Sequence, residues 1–195
     1  QNGSQLLTEA DWRSGLKSGS GQAYGIELSC RYTLKKVSYY GSYTFSRSKQ
    51  TIEGINNGNE YFSRFDRPHN LVLFGEWDIT KQDKLLVSFN FVSGNPVTVP
   101  SARYIALING VEVVLDDFAE LNNFRMPSTH HLDLSYVRSR VHEKFTSELV
   151  LGVYNVYNRA NPFMLFVGLN ENAESSLKIR SYLPIMPMIK YSIKI

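Results

Sequence analysis

Residues 37–46 read VSYYGSYTFS. Val37, Tyr39, Gly41, Tyr43 and Phe45 occupy alternate positions, and Ser38, Tyr40, Ser42, Thr44 and Ser46 fill the positions between them. Successive side chains of a β-strand point to opposite faces, so this stretch predicts a strand with one oily and one mostly polar face. A helix would scatter both sets around its circumference and bury neither.

The same division recurs on both sides. Upstream, Tyr24, Ile26, Leu28, Cys30 and Tyr32 alternate with Gly25, Glu27, Ser29, Arg31 and Thr33. Downstream, Leu71, Leu73, Gly75, Trp77 and Ile79 alternate with Val72, Phe74, Glu76 and Asp78, and Leu85, Val87, Phe89 and Phe91 with Leu86, Ser88, Asn90 and Val92. Leu132, Leu134 and Tyr136 oppose His131, Asp133 and Ser135. Phe145, Leu149, Leu151, Val153 and Tyr157 oppose Thr146, Glu148, Gly152, Tyr154 and Asn158. A last strand sets Ile189, Tyr191, Ile193 and Ile195 against Met188, Lys190, Ser192 and Lys194. The period-two pattern thus predicts about seven strands.

The connections alternate in length. Residues 34–36, 80–83 and 139–144 make tight, basic turns, whereas 47–70, 94–127 and 159–183 are long. Outer-membrane barrels have this arrangement, with short periplasmic turns and long extracellular loops. On that assignment Tyr24, Tyr43, Phe45, Phe89, Phe91 and Tyr157 fall toward the loop ends, and Tyr32, Tyr39, Trp77, Tyr136, Phe145 and Tyr191 toward the turn ends. Aromatic rings favour the two membrane interfaces, so both sets read as girdles. The expected fold is all-β, an antiparallel transmembrane β-barrel segment. Seven strands cannot close as a bacterial barrel of even strand number, which predicts further strands upstream. The opening QNGSQLLTEADW, without an initiator Met, agrees with an excised piece of a longer precursor.

Composition excludes other classes. With 43% apolar and 13% aromatic residues the chain is too hydrophobic to remain disordered. Its 21 basic and 18 acidic residues are interspersed, so no basic patch points to nucleic acid. One cysteine, Cys30, forms no internal disulfide, and no Cys/His spacing predicts a metal site. No apolar run is long enough for a transmembrane helix, so a membrane span must be made of strands.

The boundary motifs carry a resemblance. GQAYGIEL (21–28), YTFSRS (43–48), RFDRPHNLVL (64–73), FVSGNPVTVP (91–100), RMPSTHHLDLSY (125–136), GVYNVYNRANPF (152–163) and the terminal LPIMPMIKYSIKI (183–195) occur in an order that resembles the C-terminal barrel of TonB-dependent outer-membrane receptors, particularly those common in Bacteroidetes. The resemblance implies that residues 1–195 are the C-terminal portion of a roughly 22-stranded barrel. It also implies a Gram-negative outer-membrane location, contact with outer-membrane lipid, and a plug domain and upstream strands outside this chain. Coupling to the TonB complex would run through the N-terminal part that this chain lacks. The implied function is energy-coupled import of a scarce solute such as an iron chelate, cobalamin, a glycan or a peptide, with no enzymatic activity and no cofactor. Such barrels usually end on an aromatic residue, whereas this chain ends Ile193, Lys194, Ile195. The alternative is a soluble antiparallel β-sandwich binding module, with an outer-membrane barrel enzyme or a small porin behind it.

Solute contacts in a plugged barrel come from loops and the upper lumen. The first candidates are Asn56, Asn57, Asn59, Tyr61, Phe62 and Arg64, whose amides and rings suit hydrogen bonding with stacking. Arg103, Tyr104, Asn122, Asn123 and Arg125 follow. Asn109-Gly110, between RYIALI and VEVVLD, reads as a hairpin turn that extends the second long connection. Glu27, Arg31, Glu76, Asp78, Asp133, Glu148 and Lys190 fall on the polar face, where the barrel reading has them face the lumen and a plug. Ser63, Asp66 and His69 have the residue types of a hydrolytic triad, but proximity in sequence does not make one, and Asp66 to His69 read better as the loop's return into a strand. His130 and His131 point to opposite faces and cannot easily share a metal.

Overall fold

The computed structural model describes residues 17–169 and 175–195; the opening QNGSQLLTEADW lies outside them. The chain is all-β. Its strands are β1 (Gly19–Leu34), β2 (Val37–Ile52), β3 (Tyr61–Phe62), β4 (His69–Asp78), β5 (Asp83–Val92), β6 (Pro96–Val97), β7 (Ala102–Ile108), β8 (Val111–Asp117), β9 (Phe124–Arg125), β10 (Thr129–Val141), β11 (Thr146–Tyr154), β12 (Pro162–Leu169), β13 (Ser175–Ser181) and β14 (Met186–Lys194). No helix among the described residues is long and apolar enough to cross a membrane.

One sheet dominates, in the order β1-β2-β4-β5-β10-β11-β14, with β3 on the far end of β2. Every neighbouring pair is antiparallel, so the seven long strands form an up-and-down meander. These are the seven strands that alternation predicts. Short turns of residues 35–36, 79–82 and 142–145 lie at one end of the sheet, and the long connections 53–68, 93–128 and 155–185 at the other. β1 and β14 are its free edges, and no closed barrel forms among the described residues.

Register turns seven separate patterns into one surface. At the turn end, Leu34, Val37, Trp77, Leu85, Tyr136, Leu151 and Ile189 lie side by side; the next row holds Tyr32, Tyr39, Gly75, Val87, Leu134, Val153 and Pro187. Above them run Cys30, Gly41, Leu73, Phe89 and Leu132, then Leu28, Tyr43, Leu71, Phe91 and His130. Nothing covers this apolar face among the described residues: Leu28 is 63% exposed, Trp77 49% and Ile189 76%. At its loop end Tyr43 and His69 share a hydrogen bond of 2.8 Å, and His130 and Tyr157 one of 2.6 Å. At its turn end the Tyr136 hydroxyl donates to Asp83, and Phe145 stacks on His142. The polar tips of these aromatics are thereby satisfied at the rims of the apolar band.

The opposite face carries Glu27, Arg31, Glu76, Asp78, Asp133, Glu148 and Lys190, all on one side as their parity requires. Lys84 bridges Glu76 at 2.5 Å and Asp78 at 3.3 Å, Arg31 lies over the Tyr40 ring, and His131 pairs with Asp133. His130 and His131 do face opposite ways, the first among Phe89, Phe91 and Tyr157, the second against Tyr154.

The sequence reading placed several boundaries too tightly. β1 and β2 pair all the way to Gly19 and Ile52, beyond the predicted ends at 24 and 46. Residues 47–51 are uniformly polar, so they carry no alternation to read, yet backbone pairing continues through them. Conversely, β11 ends at Tyr154 rather than Asn158. There Asn155 and Asn158 adopt positive φ of 52° and 53°, which ends the extended chain. The third long connection, expected as a loop, contains the β12–β13 hairpin. The Asn109-Gly110 hairpin is present as β7–β8, with φ of 51° and 79° at its two turn residues.

Candidate functional site

The long connections are held by a buried carboxylate. Asp66 is 1% exposed, and an ionised group so placed needs partners. Its Oδ1 accepts the Ser48 N–H at 2.7 Å, while its Oδ2 accepts Arg47 Nη1 at 3.3 Å and Arg125 Nη2 at 2.5 Å. Arg125 Nη1 also donates to the carbonyls of Asp66 (2.9 Å) and Gly94 (2.8 Å). Arg47, Lys49 and Arg125 surround the Phe62 ring at 5.1–5.5 Å, within cation–π range. Three motifs distant in sequence, YTFSRS, RFDRPHNLVL and RMPSTHHLDLSY, therefore meet at one clasp. Gly94 makes the close approach possible, since a Cβ there would lie 1.7 Å from the Met126 carbonyl oxygen.

Asparagines complete the lock. Asn56 accepts the Leu121 N–H at 2.7 Å and donates back to its carbonyl at 3.1 Å; Asn122 donates to the Phe62 carbonyl; Asn123 brackets the backbone of Val99. A second knot uses GVYNVYNRANPF. Asn155, fully buried, donates to the carbonyls of Arg159 and Leu183 and accepts the Arg159 N–H, and Asn161 pairs with both backbone groups of His130.

This arrangement redistributes the candidate solute residues. Asn56, Phe62, Asn122 and Arg125 brace one long connection against another, Asn123 braces the second connection against its own Val99, and Tyr61 is buried beside them. Arg103 is tied to Asp116 by a bidentate ion pair of 2.6 and 3.0 Å across the β7–β8 hairpin, which holds the Asp116 carboxyl below its usual range. Asn57, Asn59, Arg64 and Tyr104 remain exposed. Ser63, Asp66 and His69 have separate partners: Ser63 accepts the Phe65 N–H, Asp66 belongs to the clasp, and His69 bonds Tyr43 on the apolar face. Among the described residues no group of His, Cys, Asp and Glu has the placement to hold a metal ion.

Beside the clasp, at the loop end of the polar face, the structure opens a cavity of about 550 Å³. Arg67, Ser93, Asn95 and Thr98 give it polar walls, and Phe163, Met164 and Leu165 of β12 an apolar one. A second hollow of about 450 Å³ adjoins it, shares Arg67, Val92 and Thr129, and continues to Asn70, Asn90 and His131. Arg67 Nη2 donates to Asn95 Oδ1 at 3.5 Å, a long bond that a better acceptor can displace. The lining carries a guanidinium, amides and hydroxyls but no carboxylate, which suits a hydroxylated or anionic solute with an apolar part. Sequence reasoning missed this concavity because its residues come from four separated segments. The available signal was strand parity, which puts Asn70, Asn90, Thr129 and His131 on the polar face next to the loops. Searches against protein-family models, curated proteins and solved structures find no match to the chain.

Proposed function

We propose that this chain is part of the wall of a transmembrane antiparallel β-barrel in a Gram-negative outer membrane, and that it forms the C-terminal portion of a TonB-dependent receptor importing a scarce solute. The uncovered apolar face carries the reading. It continues across seven strands, carries aromatic side chains toward both ends, and is backed by a face of charged and hydroxylated side chains. From Leu34 to Tyr24 the band is roughly 34 Å long, or about 25 Å along the membrane normal at the usual strand tilt, the height of an outer-membrane apolar band. A soluble sandwich would need a second sheet over this surface.

The free edges fit the same reading. Unpaired backbone groups of β1 and β14 cost several kcal/mol each in hydrocarbon, so both edges require partner strands from beyond the described residues. The polar face then lines the lumen, where Glu27, Arg31, Glu148 and Lys190 offer partners to a plug. The concavity around Arg67 lies on the solute path beneath the long loops. Exposed Asn57, Asn59, Arg64 and Tyr104 are available at its outer approach.

Cys30, exposed at mid-height of the apolar face on the edge strand β1, supplies the test. A nitroxide attached there, in the intact receptor with any other cysteine removed, should collide readily with oxygen dissolved in lipid and scarcely with a water-soluble relaxation agent. Free collision with the aqueous agent in reconstituted membranes would overturn the membrane reading. Thiol labelling of whole cells at residue 110 but not at residue 81 would fix the orientation.

A further inference from the structure

We infer that the short-turn end of the apolar face binds one anionic phospholipid, its acyl chain in the groove over Gly75 and its phosphate among Lys35, Lys36 and Lys81. This rests on the membrane reading above and adds a specific lipid to it. The groove encloses about 460 Å³ between Tyr39, Leu73, Trp77, Leu85 and Val87. Gly75 forms its floor, and a Cβ there would touch nothing within 4 Å. A glycine between bulky neighbours therefore leaves a slot, open toward lipid and lined almost wholly by apolar side chains.

The charge below the slot selects the headgroup. Lys35 and Lys36 make the whole β1–β2 turn and Lys81 sits in the adjoining β4–β5 turn. Lys36 Nζ reaches across to the Ile79 carbonyl at 3.5 Å, so its ammonium lies just past the end of β4, at the turn end of the sheet. Nearby carboxylates are already engaged. Glu76 and Asp78 pair with Lys84 on the opposite face, and Asp83 receives Tyr136, Thr80 and Arg138. Among the described residues none of the three turn lysines has a carboxylate partner. Unneutralised positive charge at the mouth of an apolar slot complements an amphiphile with an anionic head. A zwitterionic headgroup leaves that charge unbalanced, and a free phosphate leaves the slot empty.

Trp77 reports on the slot directly. The receptor would be reconstituted into phosphatidylcholine vesicles containing the same minor fraction of either phosphatidylglycerol or phosphatidylcholine with brominated acyl chains, which quench tryptophan on contact. The Trp77 signal is the difference between the protein and its Trp77→Phe variant. Brominated phosphatidylglycerol should quench it several-fold more than brominated phosphatidylcholine. The excess should vanish in the Lys35→Gln, Lys36→Gln, Lys81→Gln triple variant, whose changes lie in exposed turns, and in Gly75→Leu, which fills the slot. Equal quenching by the two lipids, or an excess that survives loss of the lysines, would overturn the lipid site and leave the membrane reading standing. Absence of quenching by either lipid would overturn both.

Discussion

Arginine placed on adjacent residues of β2 measures what each face of the sheet meets. Gly41 lies on the apolar face between Cys30 and Leu73, and Ser42 on the polar face between Ser29 and Val72. Gly41 is four residues from the turn-side start of β2 at Val37, which is roughly 13 Å along the strand and roughly 10 Å along the membrane normal, near the middle of a band about 25 Å tall. Sterics do not dominate, because a Cβ at position 41 would meet only the end of the Leu73 side chain, at 3.4 Å. On the proposed membrane reading the cost of Gly41→Arg is therefore that of a charge in hydrocarbon, roughly 2 to 4 kcal/mol, against less than about 1 for Ser42→Arg facing a hydrated lumen. The assay is urea unfolding of the complete receptor in lipid vesicles, followed by the loss of its heat-resistant migration on gels. Gly41→Leu serves as the control that fills the same space without charge, and should be neutral or stabilising. Equal destabilisation at positions 41 and 42, or a larger loss at 42, would refute the assignment of faces.

Removing the clasp carboxylate with Asp66→Ala should cost about 2 to 3 kcal/mol, below the usual figure for a broken buried pair because Arg47 and Arg125 are each about one-third exposed; it would be read as a lower thermal midpoint and new protease cleavage in 53–68. A midpoint unchanged within error would mean that the clasp does not hold the loops. The Arg103–Asp116 pair predicts a pH response confined to acid: Asp116 titrates lower in the folded hairpin than in the unfolded chain, so its contribution is intact above the ordinary carboxylate range and is lost as pH falls through the depressed value. Hydrogen exchange across 102–117, corrected for intrinsic rates, should stay flat from neutral to mildly acidic pH and rise only at lower pH, and Arg103→Gln should remove that step. If the proposed import function holds, Arg67→Gln should raise the half-saturating concentration for uptake roughly ten- to a hundred-fold, the worth of one charge-assisted hydrogen bond, at normal surface expression. Unchanged uptake would take the concavity off the solute path.

Alternation made the seven long strands and their faces legible, because a period of two survives in the sequence wherever one side of a strand is oily. The same logic failed where both sides are polar, as in residues 47–51, or where positive φ at Asn155 interrupts a pattern that Tyr157 continues. The loop residues chosen for their chemistry illustrate a related limit of local pattern. Asn56, Asn122 and Arg125 have the groups that suit a ligand, but those groups serve equally well to brace backbone, and only the meeting of distant segments decides between the two uses. The clasp at Asp66 depends on contacts 18, 19 and 59 residues apart in sequence, which no local pattern encodes.

By itself the sequence determined which side chains share a face, how many long strands there are, and that short and long connections alternate. All three follow from covalent alternation along an extended chain and need no knowledge of neighbours. Tertiary structure decided the rest: the register that aligns seven oily rows into one uncovered surface, the open edges at β1 and β14, the slot over Gly75, and the concavity around Arg67. Each of these is a relation between strands, fixed by backbone hydrogen bonds and side-chain volumes that come together only when the sheet forms.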